Sequence, residues 1–170
     1  MTRSLDLPAL GKVDTLAQEL ALLQDTGKRR IAMLGTRHVP VVSVHLVELV
    51  ARSLAMEGHS LLTSGGQGVN GAVIRGVLGV DASRLTVILP QSIERQPPES
   101  RDQLSAVLHL VQKPEHDALP LVEASAICNR EIVSRCDQLI CFVFHDSVTL
   151  IDSCRIAEDL GKVVTLLYFD

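Results

Sequence analysis

The stretch TSGGQGVNGAVIRG runs from Thr63 to Gly76, with glycines at 65, 66, 68 and 71 before the last. It stands where an apolar strand pattern gives way to a helical one. A helix N-terminus offers unpaired N–H groups and about half a positive charge. Glycines remove the side chains that keep a phosphate away from those N–H groups. Ser64, Gly65, Gly66, Gln67 and Gly68 therefore form a candidate anion-binding turn. The competing reading is that the glycines only let a helix pack closely on a sheet. The spacing is neither G-x-G-x-x-G nor a P-loop, since no Gly-Lys-Ser/Thr follows.

Other strand-to-helix junctions supply polar groups that can share such a site. LGTRHVP (34–40) follows the first apolar run. There Gly35 permits a tight turn, Thr36 brings a hydroxyl and Arg37 a bidentate cation; an ordinary turn with an exposed arginine is the competing reading. ICNREIVSRCD (127–137) places Asn129 and Arg130 on a helix whose other face is Val122, Ile127, Ile132 and Val133. Arg130 either reaches across the carboxyl edge toward a ligand or is a solvated helix-face residue. HDSVTL (145–150) puts Ser147 and Thr149 at a helix start, where capping alone would account for Ser147. No nucleophile–base pair stands out. His38 and His145 are the histidines at carboxyl-edge loops, and Asp146 and Asp152 the main carboxylates there, a poverty that argues against acid–base catalysis.

Composition narrows the field. The 170 residues carry 16 basic and 20 acidic side chains, a net charge of −4, where dedicated DNA-binding domains are basic overall. There is no Trp, and the aromatic residues are Phe142, Phe144, Tyr168 and Phe169, so an aromatic stacking platform is poorly supplied. The spacing of Cys128, Cys136, Cys141 and Cys154 matches no zinc motif, and no metal or cofactor is expected. No apolar run has the length of a membrane helix, and the N-terminus lacks a signal-peptide segment. A cytoplasmic protein with reduced thiols is the expectation.

The elements that must hold these junctions alternate along the chain. Val13–Gln24 reads as a helix stopped at Gly27, within an N-terminal segment over 1–27 that precedes the core at 28–170. The runs RRIAMLG, HSLLTSGG, SRLTVILP, VLHLVQ, DQLICFVFH and KVVTLLYF read as six strands. Helices are expected over 41–58, after Val69, after Pro98, from Pro120 and over 147–161, with Ser147 as N-cap and Gly161 as the stop. Near-continuous apolar strands between helices predict a doubly wound, mainly parallel α/β sheet flanked by helices. In such a sheet, ligands bind outside the carboxyl ends of the strands.

Taken in order, these junctions resemble the Rossmann-like core of the DNA-processing protein A (DprA/Smf) family, over roughly residues 28–168. Gly35, Thr36 and Arg37 match its Gly-Ser/Thr-Arg turn. Ser64, Gly65, Gly68 and Val69 match its Ser-Gly-x-x-x-Gly-Ile/Val-Asp stretch, with Asn70 replacing the Asp. Cys128, Asn129 and Arg130 stand at its Arg-Asn-Arg motif. Ser147, Val148, Thr149 and Leu150 stand at its Ser-Gly-Ser/Thr-Leu turn, and Gly161, Lys162 and Val163 at its last strand start. The family's His in the second-motif helix is Ile74 here. The wider SLOG superfamily includes LOG-type phosphoribohydrolases, whose Pro-Gly-Gly-x-Gly-Thr-x-x-Glu signature is missing where the chain reads FHDSVTLID.

The resemblance implies binding of nucleotide or single-stranded DNA phosphates, a homodimer, a RecA-type recombinase as partner, and no catalysis. A LOG-like nucleotide hydrolase and a degenerate protein-interaction module are the alternatives. The expected ligand-binding residues are Gly35, Thr36, Arg37, Ser64, Gly65, Gly66, Gln67, Gly68, Asn129, Arg130, Ser147 and Thr149.

Overall fold

The chain was analysed as a computed structural model, which describes residues 16–20 and 27–170. Most of the expected helix over 13–24 lies outside the described residues, although 16–20 is helical. Six strands follow: β1 (Arg30–Gly35), β2 (Ser60–Ser64), β3 (Leu85–Ile88), β4 (His109–Val111), β5 (Gln138–Val143) and β6 (Val163–Tyr168). Between them run α1 (Val41–Met56), α2 (Val69–Leu78), α3 (Pro98–Leu104), α4 (Leu121–Arg135) and α5 (Val148–Asp159). The sheet order is β4-β3-β2-β1-β5-β6, and every pairing is parallel. The doubly wound reading holds, with β1, β2, β3 and β5 central. The expected fourth strand shrinks to three residues at the sheet edge.

The alternation of side chains along β1 builds both cores. Ile31 and Met33 face α1 and α2, packing with Val47, Ala51, Val73, Ile74 and Val77. Ala32 and Leu34 face the other way, toward Cys128, Ile132 and Val133 of α4 and Cys154 and Ala157 of α5. A strand buried on both faces needs a continuous apolar run, as β1 has. Small residues let the helices approach: a Cβ at Gly76 would collide with the Glu48 carbonyl of α1. All four cysteines are buried and free.

The order of strand addition reverses at β1, with β2, β3 and β4 on one side of it and β5 and β6 on the other. The crevice between the turns after β1, β2 and β5 is the switch point where ligands settle in open α/β sheets. No helix among the described residues is long and apolar enough to cross a membrane.

Candidate nucleotide-binding site

At that switch point lies a cavity of about 660 Å³, within the usual range for small-molecule sites. Thr36, Arg37 and His38 come from the turn after β1, and Ser64, Gly65, Gly66 and Gln67 from the turn after β2. Asn129 comes from α4, and Ser147 and Thr149 from the start of α5. The wall also includes Asn70, Arg95 and Gln96. The separate junctions of the sequence therefore meet around one space.

The glycines divide into two kinds. A Cβ at Gly68 would stand against the backbone carbonyls of Thr36 and Arg37, and Gly68 has φ +71°. One at Gly35 would strike Phe142 O and Val69, and one at Gly65 would strike Leu89 and Gln96. These three serve close packing. Gly66 differs: it has φ +105°, and nothing stands within 4 Å of where its side chain would be. Positive φ combined with open space is what a backbone needs when a ligand approaches it.

The β1 and β2 turns are also bonded to each other. The Val69 N–H donates to the Thr36 carbonyl at 3.1 Å, and the Thr36 N–H to the Phe142 carbonyl at 3.0 Å. The first N–H of α2 is thus committed to the fold. The N–H groups of Gly66 and Gln67 have no partner among the described residues, and both residues line the cavity. Asn70 holds the turn from within the helix, its Nδ2 donating to the Gly65 carbonyl at 3.0 Å.

Two expected site residues are not on this wall. Arg130 is exposed. The cause is helix phase: Val122, Ser125 and Asn129 recur at spacings of three and four and line the cavity, and Arg130 is one step further round. Gly68 instead borders a neighbouring cavity with Arg75, Glu99 and Gln103. Ser147 sits at the N-cap position of α5 but makes no capping bond. Its hydroxyl accepts the Phe144 N–H at 3.1 Å, pinning the turn rather than the helix. His145 is turned away as well, stacked on Tyr168 with ring centroids 3.8 Å apart and bonded to Asp170.

Arg95, Gln96 and Pro97 also line the cavity, although no sequence motif marks them. They ride on a short 3-10 turn, Ile93–Arg95, tied to the segment after β4. The Asp117 carboxylate accepts the Ser92 N–H at 2.8 Å and the Ser92 hydroxyl at 2.7 Å. Gln91 donates to the carbonyls of His116 and Leu119, both at 3.1 Å. Beneath the cavity, the Cys128 thiol donates to the Ile88 carbonyl at 3.1 Å, and burial pushes its pKa up to about 11. It is therefore no thiolate at neutral pH. Among the described residues, no cluster of three His, Cys, Asp or Glu side chains is placed to hold a metal.

No protein-family model matches the sequence, and no curated protein matches it either. Solved structures do. DNA processing protein A from Helicobacter pylori, described for its single-stranded DNA binding mode, superimposes with a TM-score of 0.66 at 20% identity. That match covers 81% of this chain and 64% of the other. DNA processing protein A (DprA) from Streptococcus pneumoniae gives 0.64 at 19% identity, covering 83% of this chain and 50% of the other. The chain has a DprA-like Rossmann core. It spans about half to two thirds of the length of those DprA chains. The cavity sits on the elements that the resemblance singled out, the turns after β1, β2 and β5 and the face of α4.

Proposed function

We propose that this DprA-like chain is a binding protein for single-stranded DNA, holding a nucleotide unit of the strand in the cavity at the carboxyl edge. The observation that carries the reading is the convergence of Arg37, Arg95 and the unpaired Gly66 and Gln67 N–H groups on one cavity wall. Cationic side chains and free backbone N–H groups are the two devices proteins use most for phosphate oxygens. The Helicobacter pylori neighbour, which binds single-stranded DNA, supports the same choice. Binding without turnover is part of the proposal. Among the described residues Asp146 is the only carboxylate on the cavity wall, and the Cys128 thiol is protonated, so neither a pair of carboxylates nor a thiolate faces a substrate.

The test is a titration of fluorescently labelled single-stranded oligonucleotide, in parallel with duplex and with mononucleotides. Saturable binding of the single strand, weakened in Arg37→Ala, is expected. Release of free base from a nucleoside monophosphate, lost in Asp152→Ala, would replace this reading with the hydrolase one.

A cytoplasmic setting and a homodimer belong to the same proposal. The outward face of α1 supports self-association: Val42, Leu46, Leu49 and Met56 recur at heptad-like spacing and are between 55% and 82% exposed. A contact with a RecA-type recombinase is the further partner that the resemblance implies, tested by pull-down with the purified recombinase.

A further inference from the structure

Resting on that reading, we infer that the ring pair of His145 and Tyr168 is a second station on the strand, stacking the base of the nucleotide next to the one held in the cavity. The aromatic side chains are few, but they gather at the carboxyl ends of β5 and β6. The ring centroids of Phe142 and Phe169 are 6.1 Å apart, and those of Phe144 and Phe169 5.5 Å apart. These three are turned inward: Phe142 is buried, and Phe144 and Phe169 are half-buried. The rings of His145 and Tyr168 are parallel to within 3°, with centroids 3.8 Å apart. This pair stands in solvent, Tyr168 being 41% exposed and the His145 side chain 64%. A ring with one face covered by a tyrosine keeps that much exposure only when its other face is open.

The pair is also held in place. The Phe169 N–H donates to the Val143 carbonyl at 2.9 Å, carrying the β5–β6 ladder past Tyr168. The His145 N–H and its ring Nδ1 both bond to the Asp170 carboxylate, at 3.2 and 2.8 Å. A ring surface already fixed in position has little side-chain freedom left to lose on binding, and bases of any sequence stack on aromatic faces. Its place in the chain suits the role, since His145 directly precedes Asp146 and Ser147 on the cavity wall. The charges beside it narrow the choice of ligand group. Asp146 and Asp170 flank the rings, so a phosphate is repelled there while an uncharged base plane is not. The stack therefore takes a base, and the phosphate contacts stay with Arg37 and Arg95.

Calorimetry compares dTMP, the dinucleotide pdTpdT and the two forms of that dinucleotide lacking one base, on the wild-type chain, His145→Ala and His145→Phe. Each variant is first checked for its thermal transition. The dinucleotide should bind about tenfold more tightly than dTMP, the gain from one stacked base, and both base-deficient forms should fall back to dTMP. His145→Ala should lose that gain and leave dTMP affinity unchanged. His145→Phe should keep it, because a phenyl ring stacks without the bond to Asp170. With one tyrosine and no tryptophan in the chain, the intrinsic emission comes from Tyr168. It should fall on addition of pdTpdT and hold with dTMP. A base-deficient dinucleotide as tight as pdTpdT overturns the platform, as does a His145→Ala chain that keeps the gain or a folded His145→Phe chain that loses it. Single-strand binding in the cavity then stands without the platform. No binding by dTMP or by single-stranded oligonucleotide removes the proposed function and the platform with it. Should His145→Ala fail to fold, the wild-type ligand series and the Tyr168 emission decide the question.

Discussion

At the scale of single residues, the glycine-rich turn separates into packing and access. Gly66→Ala meets no atom, so its cost is that of a positive-φ conformation, about 1–3 kcal/mol. Gly68→Ala adds a collision with the carbonyls of Thr36 and Arg37 to the same kind of strain. The melting temperature should therefore drop further for Gly68→Ala than for Gly66→Ala, while Gly66→Ala should weaken ligand binding in a chain that still folds. Differential scanning calorimetry and an anisotropy titration separate the two effects. Arg37 is exposed and makes no ion pair among the described residues. Its loss should leave stability unchanged and reduce affinity by one to two orders of magnitude, the worth of a charged hydrogen bond of about 1.5–3 kcal/mol. The excess of glycines was plain in the sequence. Which glycine served which purpose was not, because the colliding atoms belong to the turn after β1, to β5 and to the loop after β3, far away along the chain.

At the scale of elements, the loop that carries Arg95 and Gln96 is only as well placed as its anchor at Asp117. Two hydrogen bonds, from the Ser92 N–H and then from its hydroxyl, hold the Asp117 carboxyl below its ordinary value of 3.8. A depressed folded-state pKa stabilises the fold above the unfolded value and stops doing so as pH falls through the folded one. The Arg30 guanidinium, hydrogen-bonded to Asp137, depresses that carboxyl in the same way. Melting temperature should thus hold near neutral pH and decline below about pH 4. Asp117→Ala should lose part of that decline and bind oligonucleotide several-fold more weakly at neutral pH, since both bonds to Ser92 are gone. The helix–strand alternation made the elements legible, because each apolar run between helices had the length and composition of a buried strand. Helix phase was harder. In α4 the sequence offered Asn129 and Arg130 side by side, and only the packing of Cys128, Ile132 and Val133 against the sheet decides which of them faces the cavity.

At the scale of the whole molecule, an acidic chain that binds a polyanion must rely on a local patch. With Arg37 and Arg95 as the cations on the cavity wall, the logarithm of single-strand affinity should fall with the logarithm of salt at a slope of roughly −1 to −2. A much steeper slope, in fluorescence titrations from low to high salt, would place the main contact elsewhere. Light scattering tests the assembly: the apolar stripe of α1 predicts a dimer at micromolar concentration, and a monomer there counts against it. Both properties were only partly legible. Net charge reads directly from the residues, but a helix apolar on most of its surface does not show which stripe is core: Val47, Ala51 and Ala55 are buried, and Val42, Leu46, Leu49 and Met56 face out.

The backbone bonds that join Phe142 to Thr36 and Thr36 to Val69 also govern when in the life of the chain a ligand can be held. The first links positions more than one hundred residues apart in sequence, and such pairings form late because distant segments must first be brought together. On a ribosome, β1, α1, β2 and α2 emerge with their glycine turn but without β5 beside them, and α4 with Asn129 is still to come. A nascent chain of that length has no cavity to offer. Capture of the ligand therefore waits for the completed sheet, and once it occurs it acts on the native form alone, raising the unfolding free energy by mass action as ligand concentration rises above the dissociation constant.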